Sequence, residues 1–123
     1  MRKNSHEPES LLPLPPAVFH ILLALTGGDS HGYRIMQEVI HMTDGKQRLG
    51  PATLYRSLHR LLVDGLIMEV EERPDPALDD ERRHYYRLTP FGAEVAEAEA
   101  MRLAQLVRLA QSKQLLADFE PSS

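Results

Sequence analysis

Gly50-Pro51-Ala52-Thr53-Leu54-Tyr55-Arg56-Ser57-Leu58-His59-Arg60-Leu61-Leu62-Val63-Asp64-Gly65 reads as one short helix with both ends marked. Pro51 suits a first helical position, because it has no N–H to lose and its φ is preset. Gly65 suits the stop, because it takes the left-handed conformation that closes a helix. Leu54, Leu58, Leu61 and Leu62 recur at i, i+4, i+7 and i+8 and share one face. Thr53, Arg56 and Arg60 lie opposite, with Ser57 and His59 on the flanks. One face is made for burial, and the other offers two guanidiniums and a hydroxyl. From Lys46 through Val63 the chain carries Lys46, Arg48, Arg56 and Arg60 and no Asp or Glu, within a chain of net charge −4. A basic helix face suits a polyanion such as DNA. It also fits an amphipathic surface helix with solvated arginines, so the flanking sequence has to decide.

Downstream of Gly65 the period changes from helical to about two. Leu66, Met68 and Val70 alternate with Ile67, Glu69 and Glu71, which predicts a strand. Arg73 to Arg83 holds Pro74, Pro76 and four acids and reads as a loop. His84-Tyr85-Tyr86-Arg87-Leu88-Thr89 is a second strand rich in β-formers. A basic helix followed by a hairpin is the pattern of a recognition helix and its wing. Upstream, Asp29-Ser30 marks an N-cap for a helix over about Gly32 to Met42. Tyr33, Met36, Val39 and Ile40 form its expected buried stripe, with Arg34, Gln37, Glu38 and His41 facing water. Thr43-Asp44-Gly45 is a turn. Two short helices with the later one basic form a helix-turn-helix.

Ala17 to Leu25 is apolar nearly all round and predicts a buried helix, opened by Pro15 or Pro16 and closed by Gly27-Gly28. His20 within it reads as a hydrogen-bonded core or edge residue. Met1 to Ser10 lacks apolar periodicity and reads as a disordered tail. Thr89-Pro90 opens the last helix, which is expected to run to about Ala117, or ~28 residues and ~42 Å. Its apolar stripe holds Ala96, Ala100, Leu103, Leu106, Val107 and Ala110. A protruding helix of this kind packs most often on a second copy, so Leu103, Leu106, Val107 and Ala110 are the candidate dimer interface.

The expected fold is mainly α with a small β-hairpin, a winged helix-turn-helix with a long C-terminal dimerisation helix. Its expected divisions are a tail over 1–12, a DNA-binding domain over 13–89, the dimerisation helix over 90–117 and a tail over 118–123. The chain has 123 residues and no cysteine, which excludes disulfides and thiolate chemistry and is compatible with a reducing cytoplasm. No apolar run is long enough to span a bilayer. The six histidines are scattered, with no pair at i, i+4, and no glycine-rich phosphate loop is present. Neither an enzyme nor a metal site is expected, and no cofactor.

His31-Gly32-Tyr33-Arg34-Ile35, Thr53-Leu54-Tyr55-Arg56-Ser57-Leu58 and Leu61-Leu62-Val63-Asp64-Gly65-Leu66-Ile67 together resemble the PadR family of transcriptional regulators. Arg82-Arg83-His84-Tyr85-Tyr86-Arg87-Leu88-Thr89-Pro90-Phe91-Gly92 continues the likeness, which covers roughly Leu14 to Leu109. The single C-terminal helix is similar to the compact branch of that family. The resemblance implies a winged-helix homodimer that binds operator DNA, usually as a repressor, and that in some members releases DNA on binding a small, often aromatic or hydrophobic, effector near the dimer interface. Its recognition-helix positions match Thr53, Tyr55 and Arg56, and its wing-tip basic pair matches Arg82 and Arg83. Here the wing loop also carries Asp75, Asp79, Asp80 and Glu81, and the chain has no tryptophan.

On this reading the basic helix enters the major groove of double-stranded operator DNA. Arg56 and Arg60 reach guanine O6/N7 or phosphate. Thr53, Tyr55 and Ser57 hold phosphates, and Lys46 and Arg48 reach the backbone. Tyr55 also fits a packing role with its hydroxyl at the rim. A dimer spaces two such helices about 34 Å apart on an inverted repeat. An effector would sit between the last helix and the first, against Phe19, Met101 and Leu103, although plain core or interface packing is the better reading for each of them. The alternative is a winged-helix protein-interaction module without DNA binding, which has no need of the acid-free Lys46–Val63 run.

Overall fold

The computed structural model describes residues 7–74 and 82–117, with no side-chain description for 71–74 and 82–83. Four helices, α1 (Pro16–Leu25), α2 (Gly32–Met42), α3 (Pro51–Val63) and α4 (Pro90–Ser112), pack with strands β1 (Ser30–His31), β2 (Ile67–Pro74) and β3 (Arg82–Leu88). The sheet is antiparallel, ordered β1-β3-β2. This is the expected winged helix, with one strand more than the hairpin. Ser30 pairs with Tyr86 and His31 with Tyr85, so the residues before α2 form an edge strand on the wing.

The core joins Val18, Ile21, Leu22 and Leu25 of α1 to Ile35 and Val39 of α2, and to Leu54, Leu58 and Leu61 of α3. Leu66, Ile67, Tyr86, Val95 and Ala96 close it from the sheet and α4. The leucine stripe of α3 is thus buried as its spacing predicts. On α2, Ile35 and Val39 are the buried residues, while Tyr33 is 51% exposed and Met36 and Ile40 are half-buried. The buried stripe runs through Gly32, Ile35 and Val39, about one residue before the expected Tyr33 and Met36.

Helix ends follow local chemistry. Pro51 opens α3, and Gly65 closes it at φ 77°, with Leu66 N–H donating to Leu61 O and Gly65 N–H to Leu62 O. That pair of bonds is a Schellman closure. The turn after α2 repeats it, with Gly45 N–H donating to Ile40 O and Asp44 N–H to His41 O. At α4, Thr89 caps as expected, its hydroxyl accepting from Gly92 N–H at 2.9 Å and donating to Gly65 O at 2.7 Å. One side chain thereby ties the start of α4 to the end of α3.

Several expectations need correction. The cap of α2 is His31, whose Nδ1 accepts from Arg34 N–H at 3.2 Å. Asp29 instead holds Arg87 through two bonds of 2.9 Å. The strands extend past the expected loop edges, with Arg73 paired to Arg83 and Pro74 to Arg82. A register shift between Val70 and Arg73 adds one residue to β2, a bulge of the kind that bends a wing. Leu66 is buried as part of the α3 closure rather than as a strand residue, and in β2 Ile67 is buried whereas Met68 is exposed. Helix α4 has 23 residues, about 35 Å, and ends earlier than Ala117. Gln114 takes φ 63°, and Leu115 N–H donates to Ala110 O, a Schellman closure built without glycine and therefore unmarked in the sequence. Within the expected tail, Pro8–Leu11 form a 3-10 turn that packs on α4. His20 Nδ1 is shielded from solvent and makes no hydrogen bond.

Candidate nucleic-acid interface

Burying Leu54, Leu58 and Leu61 rolls the opposite face of α3 outward. Arg56, His59 and Arg60 are exposed there, and Thr53 and Ser57 are half-buried at its margins. Arg60 Nε lies 3.7 Å from Asp64 Oδ2, both partly exposed. An exposed i, i+4 pair of this kind is worth at most a few tenths of a kcal/mol, so it leaves Arg60 available to another anion. Arg56 has a clear outward position and no acid beside it on the helix.

The connection before α3 is also built. Thr43 Oγ1 donates to Val39 O at 2.8 Å and accepts from Gln47 N–H at 3.0 Å. Leu49 is buried and pins the far end. Lys46 and Arg48 lie between these anchors and are exposed. The candidate cations Lys46, Arg48, Arg56 and Arg60 therefore all face solvent on one continuous segment. For Arg82 and Arg83 the backbone is paired in β3, and their side chains lie outside the described ones, as does the acidic loop 75–81.

Tyr55 lies at the edge between the exposed and the packed faces of α3. It is 52% exposed, yet a Cβ placed on Gly32 would meet its hydroxyl at 3.1 Å and Leu54 Cδ2 at 3.2 Å. Gly32 thus lets α3 come close against the first turn of α2, with the Tyr55 hydroxyl at the rim. Burial pushes the Tyr86 phenol up from its ordinary value, and Glu69 and Tyr55 add to the effect. Glu69 in turn sits 3.0 Å from His84 Nδ1. These groups link α3 to the base of the wing.

The remaining candidates lie away from this surface. On α4, Leu103 and Leu106 are exposed, and Val107 and Ala110 are half-buried. Met101 and Leu109, outside the expected stripe, are exposed too. A groove lies between the Pro8–Leu12 segment and α4, rather than between α4 and α1. It is open, about 690 Å³, and lined by Leu12, Met101 and Arg102 together with Glu9, Glu94 and Glu97. Phe19 packs on the core edge and Leu103 is on the exposed α4 face, so only Met101 of the three reaches it. Among the described residues no group of three His, Asp or Glu is placed to hold a metal, and no helix is long and apolar enough to cross a membrane.

Two ion pairs that the sequence did not reveal hold the frame. Glu99 is 2% exposed. It accepts from Arg102 at 2.6 and 3.0 Å and from Leu14 N–H at 3.0 Å. The Arg102 guanidinium holds its carboxyl below the usual carboxylate range, against the opposing effect of burial. The i, i+3 spacing of Glu99 and Arg102 was the only local signal. Asp29 and Arg87, 58 residues apart, had none.

A family model described as the transcriptional regulator PadR-like family matches residues 21–98. A transcriptional regulator of Mycobacterium tuberculosis is 35% identical over 89 residues, covering 72% of this chain and 77% of that one. An uncharacterised 37.1 kDa protein in a transposon of Streptomyces fradiae is 38% identical over 86 residues, or 70% of this chain. The match spans only 22% of that protein's length. Among solved structures, a PadR family transcription regulator of Clostridium difficile superposes with a TM-score of 0.68 at 22% identity. That alignment covers 81% of this chain and 99% of the other.

Proposed function

The chain belongs to the PadR-like family of transcriptional regulators, and on that premise we propose that it binds operator DNA through the outer face of α3, as a cytoplasmic homodimeric repressor. The observation that carries this reading is the run of exposed cations, Lys46, Arg48, Arg56 and Arg60, in a segment without a single acid up to Val63. A helix face of this charge, on a winged helix, fits the major groove. Arg56 is the base reader, through guanine O6/N7. Thr53, Tyr55 and Ser57 at the margins, with Lys46 and Arg48 before them, set the register on phosphates. Arg82 and Arg83 are proposed to hold phosphate beside the wing.

The test is fluorescence anisotropy on DNA from upstream of the chain's own gene, at two salt concentrations. Arg56→Ala should weaken specific binding by about 1–3 kcal/mol, or roughly 5- to 150-fold. Lys46→Ala should weaken specific and random DNA alike and flatten the salt dependence by about one ion. Salt-insensitive binding that is indifferent to Arg56→Ala would favour the protein-interaction module instead.

Pairing of two chains through α4 is proposed on its exposed Leu103 and Leu106, with Val107 and Ala110 beside them. Leu106→Glu should convert a dimer to monomer in sedimentation equilibrium at micromolar concentration, with its circular dichroism unchanged, because a charge buried unpaired at an interface is strongly unfavourable. A small hydrophobic effector would act only by binding the arrangement of the dimer that does not fit DNA more tightly than the one that does.

A further inference from the structure

The leading end of α3 offers no hydrogen-bonding side chain. Gly50, Pro51 and Ala52 are all exposed, and Gly50 caps the helix without a side-chain bond. A Cβ on Gly50 would meet nothing within 4 Å among the described residues, so the space ahead of the helix is open. Ala52 and Arg56 are four residues apart and both exposed. They stand on one outward ridge, opposite the buried Leu54, Leu58 and Leu61. Thr53, the nearest hydroxyl, is half-buried on the flank. Read from its start, the ridge presents a methyl group first and a guanidinium one turn later.

A recognition helix turns its N-terminal residues toward base edges. In the major groove those edges differ in their donors, their acceptors and one apolar feature, the C5-methyl of thymine. The side chain of alanine neither donates nor accepts. The base feature it distinguishes by contact is that methyl. Ala52 and Arg56 are separated by about 6 Å along the helix axis, and stacked bases by about 3.4 Å. The two residues therefore address bases within about two steps of each other.

We propose that Ala52 is a specificity-determining residue, packing its methyl against the C5-methyl of a thymine within about two base pairs of the guanine held by Arg56. The inference rests on the operator-binding reading and adds to it the composition of the half-site, a guanine with a thymine close by.

The experiment selects sites for the full chain from a pool of randomised duplexes, then replaces each thymine of the selected duplex by uracil in turn. That exchange removes the methyl and leaves every donor and acceptor in place. Exchange of the thymine near the guanine should weaken wild-type binding about 4-fold, the worth of one buried methyl. Ala52→Gly should bind the thymine and uracil duplexes equally. The exchange is made in the DNA, so the wild-type result stands even where the variant fails to fold. An alanine present only as a good helix former gives no response to uracil. Indifference of the wild type to every exchange, a loss that persists in Ala52→Gly, or a selected half-site without a thymine near a guanine overturns the proposal. In each of these cases, specific binding that falls in Arg56→Ala leaves the operator-binding reading standing. Failure to enrich any sequence over random DNA overturns both.

Discussion

Gly92→Ala should lower the melting temperature by about 10–20 °C, corresponding to roughly 3 kcal/mol. A Cβ at this position would fall inside contact distance of the Leu66 carbonyl oxygen and lie 2.9 Å from its carbonyl carbon. Both are backbone atoms, and backbone cannot swing aside as a side chain can. The same carbonyl accepts Thr89 N–H at 3.1 Å, and Gly92 N–H donates to the Thr89 hydroxyl. To admit one methyl group, the first turn of α4 must leave the end of α3, stretching the bonds that join the two. Overpacking of this kind commonly costs 1–3 kcal/mol even where side chains can adjust. Gly27→Ala is the matched control, because an added Cβ there meets nothing within 4 Å. It should change stability by no more than about 0.5 kcal/mol. Equal melting temperatures for the two variants, measured by differential scanning calorimetry, would contradict the close approach of α4 to Leu66.

Glu99→Leu should cost about 2–4 kcal/mol, because it strands two donors at once. Leu14 N–H loses a buried acceptor, and Arg102 loses both of its bonds. Arg102 is partly exposed and recovers some hydration, so the Leu14 amide carries much of the loss. Glu99→Gln keeps an acceptor for Leu14 and should cost only about 1 kcal/mol at pH 7. The two variants also separate by pH. Arg102 first, and the Leu14 N–H after it, hold the Glu99 carboxyl below its ordinary value in the folded chain, while burial opposes them. The folded chain therefore binds fewer protons here than the unfolded chain. The stabilisation is complete above the unfolded value, about 4.3, and is lost as pH falls through the depressed folded one. Melting curves from pH 7 to pH 3 should show the advantage of wild type over Glu99→Gln shrinking as acid is added. A constant advantage across that range would mean that Glu99 is not ionised against Arg102.

Much of the fold was legible because helix starts and stops are local chemistry. Pro51, Gly65, Gly45 and Thr89-Pro90 act within four or five residues of themselves, and all lie where their chemistry places them. The leucine spacing of α3 fixed which face is buried, and with it the outward position of Arg56 and Arg60. That much of the candidate interface follows from one helix read alone, since rolling Leu54, Leu58 and Leu61 inward leaves only one orientation for the cations.

What required the tertiary structure were choices made between residues far apart in the chain. Asp29 is as good a cap as any by local rules, yet it holds Arg87, and His31 caps in its place because β1 pairs with β3 some 55 residues later. Tyr33 sits at helical spacing with Val39 but faces outward, while Ile35 takes the buried position on the face that meets the core. Gly92 looks like an ordinary residue inside a helix until the Leu66 carbonyl is set against it. Glu99 reads as one of several surface acids on α4 until Leu14 arrives over it. A single chain determines by itself its periodicities and its turns, which act over a few residues. Which polar group is buried, and what it bonds, is decided only when distant segments meet, because the desolvation of an acid or an amide has a definite cost only once the partner that offsets it is in place.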